Sequence, residues 1–308
     1  MTPNPAREQD LLPPLPLDSW KDTLATLHMW TQVVGKVRLK LCPLVNHFWN
    51  VPFYVTARGM TTSAMPYQHG TILRTLEVRF DFITHQLLLE TSEGRVISLA
   101  LEPQSVADFY KKFMAALADL GVTVKIGTRP CEIPDPIPFE KDEVHAAYDP
   151  EAVHKFWRIL TWVDQVLKEF RAGFLGKVSP VHFFWGSFDL CCTRFSGRRA
   201  PLRRGIVTSE AYSHECSSVG WWPGGGDVTG PAFYAYTAPE PPGCGEQPVR
   251  PPGVLYPSKL HEFLLMYDDV RRSTSPRDEI LEFAQSTYEA GANLAGWDRV
   301  VLERRPPS

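Results

Sequence analysis

Three histidines, His47, His182 and His214, each stand in a strand-like run beside aromatic residues. An imidazole on a rigid strand can serve as a proton shuttle, or as one of several metal ligands drawn from different strands. His214 alternates with Tyr212, Cys216 and Ser218, and Glu215 then points to the opposite face. Asp189 lies in a largely apolar run, "GSFDLCC", where a carboxylate must find a partner or a proton. It could orient a histidine or pair an arginine. His182, His214, Glu215 and Asp189 are therefore the candidate acid–base residues. The same histidines, with His47, are the candidate ligands for a divalent metal. No HxH, HExxH or HxxxH spacing accompanies them, so the motif support for a metal is thin. Each histidine can equally be a core residue bonded to backbone.

Two arginines, Arg58 in "VTARGM" and Arg194 in "CTRFSGRR", end apolar strand runs. A strand-end guanidinium can clamp a carboxylate or phosphate through two parallel hydrogen bonds. It can also pair an internal acid such as Asp189 or Glu210. Arg198, Arg199, Arg203 and Arg204 extend the second arginine into a basic loop, which reads as a solvated surface. Trp185, Tyr212, Trp222 and His47 are the aromatic candidates for lining a pocket with these arginines. Glu240, in "APEPPG", completes the acidic set. The run "WWPGGGD" has glycines but no following lysine, no GxGxxG and no helix opening after it. It therefore reads as a turn rather than a phosphate loop.

The elements that would hold these residues follow from pattern. Residues 18–35 read as a helix, with Asp18 or Ser19 as cap and Gly35 as stop. "KVRLKL" and "NHFWNVPFYVTARGM" alternate like strands, as do "TILRTLEVRFDF", "HQLLLET" and "RVISLAL", which form an antiparallel meander. "SVADFYKKFMAALADLG" is a second helix with Ser105 as cap and Gly121 as stop, followed by a strand "VTVKI". After a proline-rich stretch, a long helix opens at Asp149-Pro150. Strands "PVHFFWGSFDLCCTRFSG", "SEAYSHECSSVGWW" and "PAFYAYTAPE" and a closing helix "DEILEFAQSTYEAGANLAG" come after it. The order helix, "GKV", "HFW" or "HFFW", strand, arginine occurs twice, with Trp49 matched to Trp185. This predicts an internal duplication. The expected fold is α+β, antiparallel sheets with packed helices in two pseudo-repeated halves. The expected organisation is an extended tail at 1–17, halves at 18–128 and 150–298, a proline-rich crossing at 129–149, and a tail at 299–308.

"LHMWTQVVGKVRL", "VHFFWGSFDLCCTRFSGRRAP" and "EAYSHECSSVGWWPGGG" resemble a bacterial family known as a domain of unknown function (DUF5996-like). The resemblance spans nearly the whole chain and implies no activity, so function must be argued from the residues.

Bulk properties narrow the classes. The chain has 308 residues, 44% hydrophobic and 22% charged, which suits a globular protein with an ample core. A formal net charge of −3 gives no bulk attraction to nucleic acid or anionic membrane. No apolar run is long enough to span a bilayer, and the polar, proline-rich start lacks a signal-peptide pattern, so the cytoplasm is expected. The six cysteines form no CxxC pair and read as reduced. The 28 prolines cluster in extended or turning segments. The function expected is an aromatic-lined pocket for a small-molecule ligand. It would be an enzyme acting on a small anionic molecule by His/carboxylate or metal-assisted chemistry. The alternatives are a non-catalytic binding or sensing protein, and a structural module that binds a partner. Oligomeric state is left open.

Overall fold

The computed structural model describes residues 12–202 and 204–304. The fold is α+β, with two antiparallel sheets and flanking helices. The chain divides into two compact units. One holds residues 18–157 and 183–188; the other holds the remainder. These boundaries differ from the expected halves, because the long helix Pro150–Ala172 runs through the division instead of opening a half. The expected tail at 299–308 contains a short helix, Arg299–Leu302, and its last four residues lie outside the described residues. So does most of the tail at 1–17.

In the first unit, helix α1 (Lys21–Leu41) continues through Gly35, so "KVRLKL" is helical and not a strand. The reason lies in burial. Trp30, Val33, Val34 and Val37 are fully buried at helical spacing. Gly35 is needed for close approach, since a Cβ there would stand 2.3 Å from the Trp185 indole. The next segment makes a 3-10 turn at Asn46–Phe48 and then a hairpin, β1 (Tyr54–Thr56) and β2 (Gly59–Thr61). The meander appears as β3 (Met65–His69), β4 (Ile72–Asp81), β5 (Gln86–Thr91) and β6 (Val96–Ala100). The sheet order is β1-β2-β4-β5-β6, with β3 also paired to β4. Leu87, Leu89 and Thr91 of β5 are buried on alternate positions, as one packed face requires. Helix α2 (Val106–Asp119) starts where the Ser105 side chain accepts from the Asp108 amide. Its Phe109 stacks on Trp30, ring centroids 4.8 Å apart. "VTVKI" forms no strand. Helix α3 (Pro150–Ala172) is capped by Asp149, whose Oδ1 accepts from the amides of Glu151 and Ala152.

"PVHFFWGSFDLCCTRFSG" is not one strand. β7 (His182–Phe184), a turn, and β8 (Asp189–Arg199) share it. The second unit then adds α4 (Ile206–Ala211), β9 (His214–Trp222), β10 (Ala232–Ala238) and β11 (Phe263–Met266). It closes with α5 (Tyr267–Val270), α6 (Pro276–Leu294) and α7 (Arg299–Leu302). Strands run β11-β10-β9-β8, each antiparallel to its neighbour. The first part of "SEAYSHECSSVGWW" is α4, and only the remainder is β9. The duplication is not confirmed. The first "GKV" is inside α1, whereas the second ends in Val178, which forms a lone bridge with Arg194. Trp49 ends a 3-10 turn, and Trp185 sits in the β7–β8 turn.

The "PGGG" run is a turn. Gly224 and Gly226 have φ of 95° and 54°, and Gly225 bridges Val228. Val228 then packs with Ala232 and Leu264, and Trp222 lies against that cluster.

Candidate functional site

Register sorts the side chains of β8, β9 and β10. Directly paired residues share a face, and neighbours along a strand alternate. Leu190, Cys192 and Arg194 therefore share one face with Trp221, Val219 and Ser217. Asp189, Cys191 and Thr193 share the other with Gly220, Ser218, Tyr234 and Tyr236. The first face is packed by α6, where Gly291 allows contact with Thr237. The second face carries a row of ionisable and hydroxyl groups.

That row is built around Gly220. It is opposite Tyr234 on one side and Cys191 on the other. A Cβ at 220 would stand 2.6 Å from the Tyr234 ring and hydroxyl, so only glycine lets the phenol cross β9. The Tyr234 hydroxyl crosses it and donates to Asp189 Oδ2. Tyr234 stacks on Tyr236, planes 8° apart, and the Tyr236 and Tyr212 hydroxyls are 3.2 Å apart. Thr193 and Ser218 hydroxyls pair at 2.9 Å on the same face. Burial pushes both phenols well above their usual range, and the Asp189 charge adds to the effect on Tyr234. Burial also raises the Cys191 thiol, again with Asp189 beside it. Glu262 stands immediately before β11. Burial, and then the Asp189 carboxylate, push its carboxyl up to about 7. A carboxyl held there can both give and take a proton near neutrality.

A second feature lies at the far end of β9 and β10. A half-open cleft of about 250 Å³ is lined by Glu215, Thr237, Glu240, Trp297 and the prolines of residues 239–242. Glu215 Oε2 accepts from Ser196 Oγ at 2.9 Å and from Arg198 Nη2 at 2.7 Å. Arg198 also donates to the Ala295 carbonyl at 2.5 Å, at the end of α6. Glu240 accepts from the Tyr256 hydroxyl and, at 2.8 Å, from His261 Nδ1. Tyr256 packs on Phe263, the first residue of β11, so this corner adjoins Glu262.

The residues singled out in the sequence are only partly gathered here. Asp189 belongs to the tyrosine row, Tyr212 to its end, and Glu215 and Glu240 to the cleft. His182 is buried in β7. His214 opens β9 opposite Arg199, with Ser213 Oγ 3.1 Å from its Nδ1. Burial lowers the His214 pKa, and the charges of Lys177 and Arg199 lower it further. His47 belongs to the other unit, at φ 63° beside Asn46 and Trp49. Among the described residues no group of three or more His, Cys, Asp or Glu is placed to hold a metal ion.

Both arginines are engaged within the fold. Arg58 sits at the β1–β2 turn and pairs with Asp81 at 2.5 Å; Asp81 also accepts from the amides of Ile83 and Thr84. Arg194 is buried against Phe170, whose ring centroid is 3.5 Å from the guanidinium carbon, with Tyr288 at 4.6 Å. It donates to the Phe170 carbonyl at 2.5 Å and to Gln285 at 3.1 Å. Burial pulls its pKa down to about 10. It caps the last turn of α3, where carbonyls lack helical partners. Trp185 donates from its indole to the Val51 carbonyl at 2.9 Å and fills the space above Gly35. Arg198 and Arg199 are strand residues, not loop, and Arg203 lies outside the described residues. Sequence reasoning missed Tyr234, Tyr236 and Glu262. The alternation in "PAFYAYTAPE" puts both tyrosines on one face, but only the register reveals Gly220 opposite.

Residues 12–304 match a family of unknown function, DUF5996, and the chain belongs to that family. No curated protein and no solved structure is found to match it. Among the described residues no helix is long and apolar enough to cross a membrane.

Proposed function

We propose that this protein is an acid–base enzyme acting on a small organic molecule, with Glu262 as the proton carrier. The observation that carries this reading is the shared sheet face on which the Tyr234 phenol reaches over Gly220 to Asp189. Glu262, held near pH 7 by burial and by Asp189, stands beside that face. Its carboxylate takes a proton from one atom of the substrate, and the resulting carboxylic acid returns it to another. This needs no redox partner and conserves atoms. Tyr234 keeps its proton because burial raises its pKa, so it stays a hydrogen-bond donor. It holds Asp189, and Asp189 in turn keeps Glu262 partly protonated. Six free cysteines accord with a reducing compartment, and we place the protein in the cytoplasm.

The test is to incubate purified protein with a small-molecule cell extract in D₂O and follow isomerisation and deuterium uptake by mass spectrometry. The wild type is expected to convert or label at least one compound. Glu262→Gln is expected to abolish this while remaining folded, and Tyr234→Phe to reduce it. No protein-dependent change in the wild type, or full activity in Glu262→Gln, overturns the reading.

A further inference from the structure

The cleft beside Glu215 and Glu240 carries two carboxylates among its polar lining groups, with the Thr237 hydroxyl and the Trp297 indole N–H. Its ionisable lining groups are those two carboxylates. Pro239, Pro241 and Pro242 supply carbonyls but no N–H groups. Ala295, also in the lining, is the capping residue at the C-terminal end of α6, where unpaired carbonyls and the helix dipole favour a cation. The fold already places one guanidinium in this field. Arg198 bridges Glu215 to the Ala295 and Gly296 carbonyls. Arg198 offsets the charge of Glu215. Glu240 is held by the Tyr256 hydroxyl and by His261 and pairs with no Lys or Arg among the described residues. Trp297, the alanines and the proline rings form apolar walls. At about 250 Å³ the space is below the range of drug-sized sites, roughly 300–1,000 Å³.

We infer that this cleft is a binding site for a small primary ammonium or amidinium group on a short apolar stem. The nitrogen donates to Glu240 and to the proline-loop carbonyls, and the stem lies against Trp297. The donors in the lining are the Thr237 hydroxyl and the Trp297 indole N–H, and a carboxylate or phosphate ligand meets the Glu240 charge, since Arg198 offsets that of Glu215. This differs in sign from the ligand expected from Arg58 and Arg194: Arg194 is buried at the end of α3, and Arg58, on the other unit, pairs with Asp81. The inference does not rest on proton transfer at Glu262, since binding at the cleft needs no turnover.

The experiment titrates full-length protein with n-butylamine, n-butanol and butyrate near pH 7, by calorimetry and by amide and indole NMR shifts. The amine is expected to bind at least about tenfold more tightly than the alcohol, because a charge-assisted hydrogen bond replaces a neutral one. Shifts should centre on Thr237, Glu240 and the Trp297 indole. Glu240→Gln should weaken the amine at least about tenfold and leave the alcohol unchanged, and Glu240→Asp should restore part of the loss. Equal binding of amine and alcohol, preference for butyrate, no binding of the amine, or shifts elsewhere each overturn the site. Should Glu240→Gln fail to fold, the comparison of the three ligands on the wild type decides alone. Failure here with deuterium uptake intact removes the amine site and leaves the Glu262 reading standing.

Discussion

Replacing Glu262 with glutamine should make the protein more stable at pH 8 and change little at pH 4.5. The carboxyl is raised from its ordinary 4.5 to about 7 by burial and by Asp189. Folding therefore prefers the protonated form. Between those two values the folded protein keeps a proton that the unfolded chain has lost, so stability falls as pH rises through the window. Below about 4.5 there is no penalty, and above about 7 it is complete. At about 1.4 kcal/mol per pH unit, the displacement corresponds to about 3 kcal/mol at full burial. Glu262 is only half-buried, and solvent screening reduces the expected gain to about 1–2 kcal/mol. Glutamine is neutral throughout, like the protonated acid, and so escapes the penalty. For a chain of this size that gain is a rise of roughly 2–6 °C in Tm. The assay is calorimetric melting of both proteins at pH 4.5, 6, 7 and 8. A difference that does not grow with pH, or a glutamine variant less stable at pH 8, refutes the assignment of Glu262 as a strained carboxylate.

Gly220→Ala puts a Cβ 2.6 Å from the Tyr234 phenol and from the Leu190 carbonyl, so a loss of about 1–3 kcal/mol is expected in the denaturant midpoint. The Tyr234–Asp189 hydrogen bond should go with it, seen as a shifted tyrosine hydroxyl resonance, and an unchanged resonance counts against the row. Arg194→Lys should cost about 2–4 kcal/mol, because an ammonium cannot stack on Phe170 while bonding two acceptors; near-neutral stability would show that the α3 cap is not needed. Gly35→Ala should destabilise despite a helix-propensity gain of about 1 kcal/mol, because its Cβ would stand 2.3 Å from the Trp185 indole. An altered tryptophan emission spectrum should accompany it, and a more stable protein would refute the close packing.

The sequence made the α+β class legible through period. The meander at β4, β5 and β6 alternates, and α2 and α3 carry caps at Ser105 and Asp149 that the structure contains. The misreadings have physical causes. "KVRLKL" satisfies both a period of two and a helical spacing, and what decides is that Val37 continues the stripe of Trp30, Val33 and Val34 into the core. Gly35 looked like a stop because glycine usually ends helices; its reason is a tryptophan 150 residues away in sequence, a contact no local pattern encodes. The same limit governs the site. Asp189 announced itself as a charge in an apolar run. Its partner did not, because Tyr234 is set opposite Gly220 only by a register that the turn after Trp222 fixes.

The sign of the ligand is where the proposed cleft departs from the expectation built on Arg58 and Arg194. Arg58 and Arg194 stand at strand ends, the places where an anion clamp would be sought. Yet a guanidinium in an apolar setting must be satisfied before it can be useful. Arg194 is buried against the end of α3 and its aromatic rings, Arg198 bridges Glu215 to the end of α6, and the more exposed Arg58 pairs with Asp81 through Nε. Arg194 and Arg198 serve helix termini, and Arg58 braces the β1–β2 turn. The carboxylates that remain in the second unit stand beside tyrosines and a histidine or feel one another's charge, as Glu240 does with Tyr256 and His261 and Glu262 does with Asp189. In the cleft at the end of β9 and β10, Arg198 offsets Glu215, and Glu240 is the carboxylate with no Lys or Arg partner among the described residues. On the proposed reading, an ammonium group is repaid for its lost water by Glu240 and the proline-loop carbonyls, whereas a carboxylate would meet the Glu240 charge.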